Sequence, residues 1–148
     1  MDKYLRASPV DAERIAQAEA ETTPHAWGPV MYASSLESGH DTVWLCQQQG
    51  QLQGAAVLMQ VLDEAHLQNF FIHVRHQGQG LASLLLAHVM QQAKANAASQ
   101  MFLEVRCSNL RAQALYRKHG FQDYAVRKAY YRLPDGSRED AVLMKAML

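Results

Sequence analysis

The chain has 148 residues, 49% hydrophobic and 19% charged, with 14 basic and 14 acidic side chains. That length is one domain with a real core, and the charge balance excludes a global field that would gather nucleic acid or an anionic membrane surface. No apolar run is long enough to span a bilayer and the start MDKYLRAS lacks a signal-peptide pattern, so a cytoplasmic protein is expected.

Tyr4–Ala7 reads as a short first strand, closed by Ser8-Pro9. Ser8 suits a helix cap, Pro9 the first helical position, and Asp11 completes a capping-box-like pattern, so helix one runs to about Glu21. TTPHAWGP is a break, and a second helix covers roughly Val30–Leu36. Three strands follow: Thr42–Gln48, Gln51–Leu62 and Ala65–Val74, joined by short polar turns at Gln49-Gly50 and Asp63-Glu64, which is an antiparallel meander. The third strand leads into a loop with two glycines. The next helix, about Leu81–Ala98, lines up Leu81, Leu85, Val89 and Ala93 at helical spacing. Met101–Val105 is a short strand expected to lie parallel to Ala65–Val74. Helix four starts near Ser108-Asn109, both good caps, and stops at Gly120. Gln122–Arg132 and Glu139–Ala146 form a final hairpin around Leu133–Ser137.

A strand that ends in a glycine loop and opens a helix is a phosphate-binding device, because the helix start has unpaired N–H groups and positive dipole potential. Three designs compete. A Walker-type loop needs Gly-Lys-Ser/Thr, and Gly80 is followed by Leu81-Ala82. A dinucleotide fingerprint needs a third glycine where Ser83 stands, and too little chain follows Glu104 to complete a doubly wound sheet. The third is Q/R-x-x-G-x-G/A, met by Gln77-Gly78-Gln79-Gly80-Leu81-Ala82. That stretch resembles motif A of the GNAT N-acetyltransferases, whose backbone N–H groups wrap the pyrophosphate of acetyl-CoA. The order β-α-α-β-β-β-α-β-α-β-β is the GNAT order from first strand to last.

Two blocks narrow the resemblance. Leu103–Phe121 (LEVRCSNLRAQALYRKHGF) and Tyr130–Met144 (YYRLPDGSREDAVLM) look like those of the ribosomal-protein-alanine N-acetyltransferases, the RimI type. Asp63–Asn69 and the surroundings of Trp27 fit too, so the likeness covers essentially the whole chain. It departs at Val74 and Ala26, where the family often has proline, and at Ala82, which replaces the last glycine of motif A. The fold implied is α/β (α+β): a single GNAT domain over residues 1–148, with a mixed, mostly antiparallel central sheet and helices on both faces.

Acetyl transfer to an amine needs a neutral amine, a nearby thioester, a donor for the oxyanion and a proton for the leaving thiolate. The resemblance implies that Glu104 is the general base, through water, and Tyr116 the general acid. By themselves, Glu104 would read as a strand-end acid paired with Arg106 or solvated, and Tyr116 as a packing aromatic. Asn109 is implied to contact the cofactor, and it equally suits a helix cap. The backbone of Phe70, Phe71 and Ile72 is expected to pair with the pantetheine arm, with Ile72 N–H as an oxyanion donor. Gln77, Gly78, Gln79, Gly80, Leu81 and Ala82 would hold the pyrophosphate. Trp27, Tyr130 and Tyr131 are expected to bind the substrate, and Arg138, Glu139 and Asp140 to be turn and strand-end charges.

The implied function is acetyl-CoA-dependent acetylation of the N-terminal alanine of a small-subunit ribosomal protein, by direct attack in a ternary complex. In water an α-amine titrates near pH ~7.8 and a lysine near ~10.4, a gap of roughly 2.6 units or about 3.5 kcal/mol of deprotonation free energy, which makes the α-amine the easier target. An acetyltransferase for another N-terminus, a lysine or a small amine is the alternative; a non-catalytic CoA-binding module is another, and a nucleotide-binding module remains open through Gly78–Gly80. Cys46 and Cys107 have no metal-ligand spacing and are read as reduced thiols. The seven histidines form no zinc-like cluster, so no metal is expected. A monomer without direct nucleic-acid binding is expected.

Overall fold

The structure is a computed structural model and describes residues 3–148. In chain order the elements are β1 (Tyr4–Arg6), α1 (Ala12–Ala20), α2 (Pro29–Glu37), β2 (Asp41–Gln48), β3 (Gln51–Val61), β4 (Glu64–Ile72), α3 (Leu81–Ala95), β5 (Gln100–Arg106), α4 (Leu110–Lys118), β6 (Gln122–Arg132) and β7 (Arg138–Met147). Single 3₁₀ turns at Pro9–Asp11 and Val74–His76 lead toward α1 and α3. The strands form one seven-stranded sheet in the order β1-β2-β3-β4-β5-β7-β6. Every neighbouring pair is antiparallel except β4 and β5, which are parallel, as the α3 crossover between them requires.

Strand alternation sorts the core onto two faces. Val43, Leu45, Ala55 and Val57 point to one side, where Ile15 and Ala16 of α1 and Tyr32 of α2 cover them. Cys46, Ala56, Leu58, Met101, Leu103 and Val105 point to the other, under Leu85, Leu86 and Val89 of α3 and Tyr116 of α4. Small side chains on β3, Gly54-Ala55-Ala56, let neighbouring layers approach closely. His88, on α3, packs its ring between Tyr4 (centroids 4.3 Å apart) and Trp44 (4.5 Å).

Among the boundaries that differ from the expected ones are the ends of β4 and α3. β4 stops at Ile72, two residues early, because His73 leaves the strand to accept the Arg75 N–H on Nδ1 (3.1 Å). α3 stops at Ala95 because Ala97 takes a left-handed conformation (φ 70°) and Asn96 closes the helix. Among the described residues no helix is long and apolar enough to cross a membrane.

β4 carries the feature that shapes the molecule. Its register against β3 slips between Val57↔Asn69 and Leu58↔Leu67, so Gln68 is an extra, bulged residue. Before the bulge Ala65 and Leu67 face α3; after it Phe70 and Ile72 do, while Asn69 and Phe71 face α1. The pairing of β4 with β5 also ends here: it runs from Glu64↔Gln100 to Leu67↔Leu103 and no further. Beyond that point the two parallel strands splay, and the sheet has a gap at its centre.

Candidate active site

The gap opens into a cleft of about 680 Å³. Its walls come from both faces of the sheet: Glu19, Thr22 and Trp27 from the α1 side, Leu81, Ser83, Leu115 and Tyr116 from the α3–α4 side, and the β4 and β5 edges between them. The cleft is therefore a passage through the sheet.

The backbone of β4 offers unpaired groups to it. His73 N–H bonds the Gln53 carbonyl on β3 at 2.8 Å, so by strand alternation the Ile72 and Phe70 N–H groups turn to the gap. The Phe70 N–H is met by the Oδ1 of its own neighbour Asn69 (3.1 Å), and the Ile72 carbonyl accepts the Gln77 side chain (2.9 Å). Among the described residues no such local partner meets the Ile72 N–H, which also turns to the gap. Phe71 is buried among the α1 residues, whereas Phe70 sits edge-on to Tyr116 with centroids 6.3 Å apart.

Past β4 the loop turns on Gly78 and Gly80, each with φ 79°, a left-handed conformation open to glycine at no steric cost. Gly80 caps α3 without a side-chain acceptor, so the Leu81, Ala82 and Ser83 N–H groups at the helix start lack intrahelical partners. Gln77, Gly78, Gly80, Leu81 and Ala82 line the cleft; Gln79 does not. Arg111 of α4 donates to Gln77 Oε1 (3.2 Å), and Ser83 Oγ lies 2.7 Å from His119 Nε2, so α3 and α4 are tied together beside the loop. This is a nest of donors suited to a diphosphate. Asn109 caps α4, accepting the Ala112 N–H at 3.1 Å, and also lines the cleft; the two readings of that residue are compatible.

Two polar groups converge on the gap from opposite faces. Tyr116 on α4 is 7% exposed, and burial raises its phenol above the usual tyrosine range. Glu104 on β5 stands on the face that α1 and α2 leave open, between buried Leu103 and Val105. It is not paired with Arg106. Its Oε2 lies 3.1 Å from Arg127 of β6, and the Tyr130 hydroxyl lies 3.4 Å from its Oε1. Arg106 instead bonds Glu139 of β7 at 2.9 Å and stacks over the Tyr131 ring, 4.3 Å from its centroid. Cross-strand register selects these partners, since Arg106 and Ala141 are paired and Glu139 follows two residues away on the same face. Tyr131 lines the cleft and its phenol is pushed up to about 12, by burial first and then by the Glu104 charge. Tyr130 does not line the cleft; its place is beside Glu104 and against Tyr131, ring centroids 4.9 Å apart. Glu139 and Asp140 thus have partners of their own: Asp140 accepts the Ala129 N–H at 2.9 Å.

Sequence reasoning missed one cluster on the α1 side. Glu19 is 3% exposed; its Oε1 accepts the Tyr32 hydroxyl (2.6 Å), the Trp27 N–H (3.0 Å) and Asn69 Nδ2 (2.9 Å). Burial, the largest influence, raises its carboxyl above the usual range. The cluster joins the end of α1, the Trp27 loop and the β4 bulge. A signal was present: Ala12, Ile15, Ala16 and Glu19 form one helical stripe, and all four are buried. Nearby, His73 Nε2 lies 2.8 Å from Glu21 and the Val74 N–H donates to Thr22 (3.2 Å), a bond that a proline at position 74 could not make.

Residues 12–121 match the Acetyltransferase (GNAT) family. A [ribosomal protein bS18]-alanine N-acetyltransferase of Escherichia coli (strain K12) is 36% identical over 126 residues, covering 84% of each chain. One of Haemophilus ducreyi is 45% identical over 93 residues, 63% of this chain and 64% of that relative, just under two thirds of its length. The crystal structure of the ribosomal-protein-S18-alanine N-acetyltransferase from Escherichia coli superposes with a TM-score of 0.92 at 31% identity, covering 99% of this chain and 94% of that one. The through-sheet cleft, the glycine nest and these matches agree: the chain belongs to the GNAT acetyltransferase family, in its ribosomal-protein-alanine N-acetyltransferase branch.

Proposed function

We propose that the protein transfers the acetyl group of acetyl-CoA to the N-terminal α-amine of ribosomal protein bS18, an alanine. The observation that carries this reading is the passage through the sheet, with Tyr116 at one mouth and Glu104 at the other. Acetyl-CoA would enter from the α3–α4 face, with its diphosphate on the N–H groups of Gly78–Ser83. Its pantetheine would lie along the Phe70–Ile72 edge like an added strand, and the peptide would approach from the open face between Trp27 and Tyr131.

Glu104 accepts a proton from the α-ammonium, through water. The amine nitrogen attacks the thioester carbonyl, and the carbonyl oxygen becomes an oxyanion held by the Ile72 N–H. The oxyanion then re-forms the carbonyl, the C–S bond breaks while the C–N bond remains, and the thiolate takes the Tyr116 proton. The nitrogen gives its surplus proton to water, from which Tyr116 is later reprotonated. Attack is direct, because neither cysteine is placed to carry an acyl group: Cys46 is buried in the core and Cys107, exposed, faces Glu139 at 3.6 Å rather than a base–nucleophile pair in the gap.

The test uses acetyl-CoA with a hexapeptide beginning in alanine, beside an Nα-blocked peptide with an internal lysine, read by intact mass and thiol release. Acetylation of the free N-terminus alone, slowed about 10²–10⁴-fold in Glu104→Gln, is the expected result. Acetylation of the blocked peptide at its lysine would replace the α-amine reading with a lysine one. Binding of acetyl-CoA without turnover on either would leave the small-amine or non-catalytic reading.

A further inference from the structure

We infer that Arg127 is a positioning residue for Glu104: it anchors the carboxylate from β6 so that it faces the gap in the sheet. The inference rests on Glu104 acting as the base in the reading above.

Three observations carry it. First, the contact requires a special backbone. In a regular strand, residues 127 and 130 point to opposite faces. In β6 the register against β7 slips between Arg127 and Tyr131, and Ala129 adopts φ 51°. The looped-out turn is held by Asp140, which accepts the Ala129 N–H at 2.9 Å. Arg127 and Tyr130 therefore both reach Glu104, one at each carboxylate oxygen (3.1 and 3.4 Å). A left-handed alanine costs conformational energy, so the surrounding bonds must over-determine it.

Second, Arg127 is itself oriented. Its guanidinium lies over the Tyr130 ring, 4.6 Å from the centroid, so stacking and the ion pair select one arrangement. Third, among the described residues Glu104 has no other cation at this distance. Arg127 and Tyr130 touch its carboxylate, Tyr131 feels its charge, and Arg106 of its own strand is engaged instead by Glu139 of β7 at 2.9 Å. A half-exposed ion pair of this kind adds little stability, so its effect falls on the carboxylate's orientation.

A double-mutant cycle on the full-length protein tests this, with Arg127→Ala and Glu104→Gln singly and together, and Arg127→Lys as the conservative variant. Steady-state kinetics with the alanine peptide are read beside acetyl-CoA affinity and melting temperature. Arg127→Ala is expected to lower kcat roughly tenfold, the size typical of coupled neighbours. The KM for acetyl-CoA and the melting temperature stay unchanged, and Arg127→Lys recovers part of the loss. In the Glu104→Gln background Arg127→Ala should do nothing further. An equal loss in both backgrounds would show that Arg127 acts independently of Glu104 and would overturn the inference. So would full activity of Arg127→Ala when Glu104→Gln is impaired. Full activity of Glu104→Gln would instead remove the base assignment, and the inference with it.

Discussion

Replacing Gly54 by alanine probes the rigidity of the gap. Gly54 pairs with Ile72, and a methyl group built on it would lie 2.5 Å from the Phe71 carbonyl oxygen and 2.7 Å from Ile72 Cδ1. The first of these neighbours is backbone, so β4 must retreat by about 0.9 Å to reach an ordinary 3.4 Å contact. On its other side β4 has no strand partner at this level, since the pairing with β5 ends at Leu67. The strand yields in the one direction open to it, into the cleft. Overpacking of this sort costs about 1–3 kcal/mol, a fall in melting temperature of roughly 2–12 °C for a domain of this size. The same movement displaces the Ile72 N–H, and a misplacement near 1 Å costs on the order of 10²-fold in rate. Thermal melts, acetyl-CoA titration and kcat/KM of Gly54→Ala measure both effects. A variant with native melting temperature and native kcat/KM would refute the argument, because it would show that the β3–β4 spacing relaxes without moving the edge that faces the cofactor.

Other consequences concern separate parts of the site. Tyr32→Phe keeps the ring but removes a donor from the buried Glu19 carboxylate; a loss of about 1.5–3 kcal/mol is expected in chemical denaturation, with a raised KM for the peptide as the Trp27 loop loosens. Tyr116→Phe should lower kcat by about 10²–10⁴-fold with little change in acetyl-CoA affinity, seen by thiol-release kinetics against a binding titration. Asp140 has its carboxyl held below the usual range, chiefly by the Ala129 N–H. Its folded value is the lower one, so the stability it contributes is fully present above the unfolded value of about 3.9 and is lost as pH falls through the folded value. Asp140→Asn should flatten that acid limb in pH-dependent melts. With 14 basic and 14 acidic side chains there is little attraction to RNA, so bS18 should be acetylated faster as free protein than within assembled subunits; equal rates on the two would count against this.

The elements and their order are legible in the chain because each is written in local physics. Ser8-Pro9 and Asp11 start a helix, with the Ser8 N–H bonding Asp11 at 2.8 Å; alternation marks β2 and β3; and Gly78 and Gly80 sit where positive φ is needed. The roles proposed for Glu104 and Tyr116 come from the family pattern around them and not from periodicity. What the sequence could not show includes two of the breaks in strand register, one in β4 and one in β6. Nothing in LQNFFI marks Gln68 as the extra residue, because a bulge is decided by what β3 and β5 offer on either side. That bulge turns Asn69 to Glu19 and Phe70 to Tyr116, and the β4–β5 gap opens where it lies. Likewise RKAYY does not reveal that Ala129 loops out, and so does not reveal that Glu104 meets Arg127 while Arg106 takes Glu139. Partner choice among charges depends on cross-strand register, a long-range property. The sequence by itself determined the elements, their order and the nest of N–H groups, all set within a few residues. The tertiary structure alone decided where the sheet parts and which charges face each other there, because both depend on strands distant in the chain.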